Sequence, residues 1–154
     1  NHKTSRRHIM SSFNLTYDGF ADAIITNAIV VSDKEQNDVG CFPPHFYTDC
    51  AAWDTGAQFT LISPRIVEKL HLTPYREGGI MGIGGKKTVK TYKIAIGLPN
   101  GILIHDVEVY CSDLDDYDML IGMDIITMTD FCITNADLRT KFSFRIPSEG
   151  GLDF

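Results

Sequence analysis

At 154 residues, 44% of them hydrophobic, the chain has room for one globular domain with a modest core and none for a second. A net charge of -6 and a pI near 5.2 argue against nucleic acid, whose phosphates require a basic face, and against an anionic membrane surface. No apolar run approaches the ~20 residues that span a bilayer, since even residues 21–31 are interrupted by Asp22, Thr26 and Asn27. Peptides and proteins remain as partners.

Residues 1–10 are basic, with Arg6 and Arg7, and lack the apolar stretch of a signal peptide. Met10-Ser11-Ser12 reads as a natural start behind a leader, so 1–10 are set aside as a leader or disordered start. The domain is expected over 11–147, with a flexible tail at 148–154, and the location is expected to be cytoplasmic. Two-residue alternation and Gly and Pro punctuation make the chain mostly β with one or two short helices. Residues 23–31 and 46–53 read as strands, joined by a polar loop at 32–44. Ser63 is a good N-cap and Pro64 fits the first helical position, which predicts a helix over 64–70 that stops before Pro74. Lys86, Lys87, Lys90 and Lys93 coat an exposed hairpin.

Ile94, Ile96 and Leu98 alternate up to Pro99-Asn100-Gly101, a two-residue hairpin signal. The return strand is expected to carry Leu103, His105, Val107, Val109 and Cys111 on one face, with Asp106 and Glu108 on the other. After an acidic loop at 112–118 come the apolar Met119-Leu120-Ile121, then Gly122 and a short helix from Asp124. Strands at 131–134 and 140–146 close the domain, with Phe142, Phe144 and Ile146 on one face.

Several residue groups invite a chemical role and are better read plainly. Cys41, Cys50, Cys111 and Cys132 match no zinc or redox spacing and read as free thiols in a reducing compartment. Asp113, Asp115, Asp116 and Asp118 lack the Gly and terminal Glu of a calcium loop and read as a solvated acidic loop. His45, His71 and His105 have no Ser or Cys arranged with them as a triad, and His105 reads as a structural residue on an apolar strand face.

Asp54-Thr55-Gly56-Ala57 is different, because an ionisable acid sits between two apolar strands. An Asp there is partly buried, which is costly unless it is partnered. An Asp-Thr-Gly turn that merely reverses the chain is the plain reading, with Asp accepting backbone N–H bonds. The tripeptide alone does not decide between the two.

Trp53-Asp54-Thr55-Gly56-Ala57-Gln58 resembles the active-site loop of retropepsins. Gly82-Ile83-Gly84-Gly85 resembles the glycine-rich flap of retroviral proteases, and Asp118 to Asp124 the hydrophobic-hydrophobic-Gly segment beside the catalytic loop. Gln58 and Met123 stand where retroviral enzymes have an ion-paired Asp and Arg, so the cellular branch, the DNA-damage-inducible proteins with such a domain, is the better comparison. Trp53 replaces a smaller aliphatic residue or Phe.

The resemblance implies an all-β, closed-barrel subunit that forms a homodimer through terminal strands, with 142–146 and 12–17 as candidates. It implies an aspartic endopeptidase acting on peptides or proteins, with Asp54, Thr55 and Gly56 catalytic and each subunit supplying one Asp54. Ala57, Gly82, Ile83, Gly84 and Gly85 would contact substrate or form the flap, and Leu120, Ile121 and Gly122 would support the loop. No metal or other cofactor is required. The sequence has one Asp-Thr-Gly, so an internally duplicated enzyme is excluded. A catalytically silent dimerisation or peptide-binding module of the same fold is the alternative. Ala57 cannot donate to the ionised carboxylate as Ser could, so an optimum in mildly acidic solution is expected.

Overall fold

The computed structural model describes residues 11–32, 43–82 and 85–153. The strands are β1 (Ser11–Thr16), β2 (Ile25–Ser32), β3 (His45–Trp53), β4 (Leu61–Ile62), β5 (Arg76–Gly82), β6 (Gly85–Leu98), β7 (Ile102–Cys111), β8 (Met119–Ile121), β9 (Asp130–Thr134) and β10 (Lys141–Ile146), with helices α1 (Pro64–Lys69) and α2 (Met123–Ile126).

Six strands run in the order β2-β3-β8-β4-β7-β6, and pairing of β2 with β6 closes them into a barrel. Closure removes free edges, which is how a small β domain avoids pairing with strangers. Strand β2 shows why the sequence suits a wall: Thr26, Ala28, Val30 and Ser32 alternate into the interior while their neighbours face outward. Val30, Ile62, Ile94, Val109, Met119 and Ile121 are fully buried and fill the barrel. Strand β5 pairs only with the first half of β6 and projects from the barrel as a hairpin.

Outside the barrel, β1, β10 and β9 form a three-stranded antiparallel sheet. Strand β10 is its centre. The expected interface strand 142–146 therefore already has both edges occupied, and the outer edges belong to β1 and β9. The sheet is fixed to the barrel by aromatic packing: Trp53 of β3 lies 5.1 Å from Phe142 and 5.2 Å from Phe144 between ring centres.

Most elements lie where the sequence predicts them, with three differences. The Pro99–Gly101 connection is a three-residue turn, Leu98 pairing with Ile102, and Asn100 takes φ 64. The alternation along β7 breaks: Ile102 and Ile104 point inward, then a bulge at Asp106 (φ 56) shifts register and turns Val107 and Val109 inward. Leu103 and His105 are consequently exposed, and His105 is not a core residue. Ser63 precedes α1 as predicted but its side chain makes no cap bond, and Leu70 is the C-cap, one residue past the helix.

The chain beyond Pro147, expected to fray, is held as far as Gly150. Ser148 Oγ donates to Asp130 Oδ1 at 2.6 Å, the Glu149 N–H donates to Asp130 Oδ2 at 2.7 Å, and Arg145 Nη2 donates to the Gly150 carbonyl at 3.2 Å. These contacts, Ser148 first, hold the Asp130 carboxyl well below the ordinary carboxylate range. Cys50, Cys111 and Cys132 are free thiols, while Cys41 and most of the expected 32–44 loop lie outside the described residues. Among the described residues no helix is long and apolar enough to cross a membrane.

Candidate active site

Strands β3 and β8 run parallel, with Trp53 opposite Ile121, and both end at the same level. The chain turns there. The Asp54 N–H donates to the Ile121 carbonyl at 2.9 Å, so the acid takes its place as the next rung of the ladder. The Ala57 N–H donates back to the Asp54 carbonyl at 3.2 Å and the Met123 N–H to the Ala57 carbonyl at 2.8 Å, which fastens both sides of the loop.

Asp54 is half-buried, as expected, and Thr55 and Gly56 are exposed. The Gly56 N–H donates to Asp54 Oδ1 at 2.8 Å and orients the carboxyl. A Cβ on Gly56 would stand 3.1 Å from that same oxygen, a crowded contact. Gly56 thus makes room for the acid itself.

Gly122 has the more severe constraint. A Cβ there would lie 2.6 Å from the backbone of Phe59 and 2.9 Å from the Ala57 carbonyl, so only glycine lets the two segments touch. Ile121 is fully buried behind the loop and Leu120 half-buried.

Thr60 and Asp124 escaped the sequence reading. Thr60 Oγ1 donates to Asp124 Oδ1 at 2.7 Å and accepts the Gly122 N–H at 3.1 Å, while the Thr60 N–H donates to Asp124 Oδ2 at 3.0 Å. Thr60 is fully buried and Asp124 half-buried, so these bonds are partly shielded from water. They join the segment after the acid to the start of α2. The separation of 64 residues hides the pair from any local pattern.

Gly82 pairs with Gly85 at the far end of the β5–β6 hairpin. Ile83 and Gly84, the expected flap tip, lie outside the described residues. At the hairpin's base Arg76 donates through Nε and Nη2 to both carboxylate oxygens of Glu108 on β7, which lowers the Glu108 pKa and raises that of Arg76. Among the described residues no cluster of His, Cys, Asp and Glu suited to a metal ion occurs.

Residues 50–128, just over half of the chain, match the family model described as "gag-polyprotein putative aspartyl protease". A retropepsin-like aspartic protease from Rickettsia conorii is similar in structure, with TM-score 0.50 and 14% identity over 89% of this chain and 95% of that one. EIAV protease complexed with the inhibitor HBY-793 aligns with TM-score 0.46 and 21% identity over 73% of this chain and 91% of its own. The search of curated proteins finds no match. With its Asp54-Thr55-Gly56 loop backed by Ile121 and Gly122 at the mouth of a closed barrel, the chain belongs to the retropepsin-like aspartyl protease family.

Proposed function

We propose that the protein is an aspartic endopeptidase that works as a homodimer, two Asp54 carboxyls meeting across a two-fold axis. The observation that carries this reading is the Asp54 carboxyl itself: half-buried, oriented by the Gly56 N–H, and presented by a loop clamped to Ile121, Thr60 and Asp124. Such clamping is the preorganisation that general acid–base chemistry needs, since the acid has little freedom left to lose.

One chain supplies one such carboxyl, and paired acids facing each other share a proton because like charges so close do not both ionise. In the dimer one ionised Asp54 takes a proton from water as it attacks the scissile carbonyl. The protonated partner donates to the carbonyl oxygen, and a proton then passes to the leaving nitrogen. Thr55 would tie the two loops together. The β5–β6 hairpin, through Gly82 to Gly85, would close over an extended peptide and exclude water.

Partner pairing is best served by β9. Its outer edge carries no strand among the described residues. Its Phe131 packs 6.3 Å from Trp53, the residue before the acid, so a strand added there lies close to the loop. The free thiols of Cys50, Cys111 and Cys132 support a cytoplasmic, reducing location.

The test is cleavage of a diverse peptide library between pH 4 and 7. Products that disappear in Asp54→Asn and persist under metal chelation support the enzyme. Peptide binding with no product from the wild type would make the chain a binding module instead.

A further inference from the structure

The β5–β6 hairpin joins the barrel at a single rung. Thr91 is the one residue of β6 in register with both neighbours, Arg76 on β5 and Tyr110 on β7. Residues 85–90 pair with β5 alone, and from Tyr92 onward the partners of β6 are β7 and β2. A two-stranded ribbon attached in this way can swing as a unit about that rung, because the motion breaks none of its own ladder bonds. The same rung continues through Leu61 to Leu120, the neighbour of the Ile121 whose carbonyl accepts the Asp54 N–H. Hairpin root and acid loop therefore share one row of the wall.

A side-chain cluster at the root opposes the swing. Arg76 and Glu108 stand on strands that do not touch, with β6 between them, so about 10 Å separates their backbones. The Arg76 guanidinium crosses β6 and donates through Nε and Nη2 to both oxygens of Glu108. Two parallel bonds from a planar fork fix direction as well as distance. Beneath this pair Thr91 is buried, its hydroxyl donating to the Arg76 carbonyl at 3.3 Å, and the Tyr75 N–H donates to the Thr91 carbonyl at 2.7 Å. Lys93 faces Glu108 in register and lies 4.8 Å from the centre of the Tyr75 ring, with the Arg76 guanidinium 5.5 Å from the same centre. The ring attracts both cations that flank the carboxylate.

Among the described residues this is the ion pair that reaches from the hairpin to the barrel wall, the others joining Arg65 to Asp118 and Arg145 to Asp130 and Glu149. Its side chains are 64% and 23% exposed, so it contributes little to the stability of the fold. A hairpin hinged at one rung responds differently, because two orientations of similar free energy change their populations severalfold when one weak pair is lost. We propose that Arg76 and Glu108 form a strut that sets the orientation of the β5–β6 hairpin, and through it the fraction of chains ready to hold a peptide. Both are positioning residues, since neither belongs to the Asp54 loop and their effect on a peptide passes through the hairpin. The proposal rests on the reading that this hairpin closes over a peptide.

The test reads the hairpin directly. Nitroxide labels are attached through unnatural amino acids at positions 86, on the projecting part of β6, and 103, on the barrel wall. The labelled full chain is mixed with an excess of unlabelled chain, so that pulsed electron–electron resonance measures the distance within one molecule. One distance should dominate in the wild type. Glu108→Gln and Arg76→Gln should each raise the population at other distances about threefold with Tm unchanged, and the exchanged pair Arg76→Glu with Glu108→Arg should restore the dominant distance. Peptide KM should rise about threefold in the single variants at constant kcat, because saturating peptide selects the braced hairpin. A distribution that Glu108→Gln leaves as in the wild type, or that the exchanged pair fails to restore, would overturn the proposal. Distances report on the strut and cleavage on Asp54. A chain whose hairpin loosens as expected but that cuts no peptide refutes the peptidase and leaves the strut standing, whereas an active chain with unmoved distances does the reverse.

Discussion

The indole N–H of Trp53 donates to the buried hydroxyl of Thr26 across 3.1 Å, while the same ring system packs on Phe131, Phe142 and Phe144 of the terminal sheet. One side chain therefore joins the barrel to the terminal sheet directly before Asp54. Trp53→Phe removes the donor and leaves Thr26 unpaired, at a cost of about 1–2 kcal/mol. Trp53→Ala also opens a cavity and should cost roughly 3–5 kcal/mol. Urea unfolding of both variants checks the order, and equal stabilities would contradict it.

Gly122→Ala pushes a methyl group into the Phe59 backbone at 2.6 Å, where no rotamer change relieves the clash. The variant should lose about 1–3 kcal/mol or more of stability and most of its peptidase activity, because the loop bearing Asp54 must move. Thr60→Val keeps the shape and deletes the hydroxyl between Asp124 and Gly122, so a loss of about 2–3 kcal/mol is expected. Thermal unfolding together with a cleavage assay reads both effects. A variant that kept full stability would show that the clamp does not hold the loop.

Asp130 ties β9 to the segment after β10 and gives stability a pH dependence. Its carboxyl ionises more readily folded than unfolded. The stabilisation is fully present above the unfolded-chain value of about 3.9 and is lost as pH falls below it toward the folded value. Wild type should have a higher Tm than Asp130→Asn at pH 6, and the gap should shrink between about pH 4 and pH 2. A gap unchanged down to pH 2 would refute this.

The pH dependence of cleavage is a separate matter. Ala57 offers Asp54 no hydroxyl donor, and its N–H goes to the Asp54 carbonyl instead. A bell-shaped profile peaking in mildly acidic solution is expected. A maximum well below pH 4 would contradict it.

How far the sequence announced these features depended on how local their causes were. The Asp54 loop, Gly122 and the barrel strands were legible because alternation and short motifs record them. Strand β7 misled for a local reason: the bulge at Asp106 inverts the facing of every later residue, and although Asp tolerates positive φ better than most residues, a single Asp within a strand pattern does not announce a bulge. Thr60 with Asp124, Trp53 with Thr26 and Asp130 with Ser148 were illegible for a different reason, as each joins segments that only the folded chain brings together. The place of β10 at the centre of its sheet likewise depends on β1, more than a hundred residues earlier in the chain.

Subunit mixing tests the central claim most directly. Wild type and Asp54→Asn are combined in equal amounts, allowed to exchange, and assayed at fixed total concentration. If each active centre needs an Asp54 from both partners, only wild-type pairs cleave, and about one quarter of the rate of the same total of wild type remains. A rate of one half would mean that each chain acts alone, and the paired-acid account would be wrong.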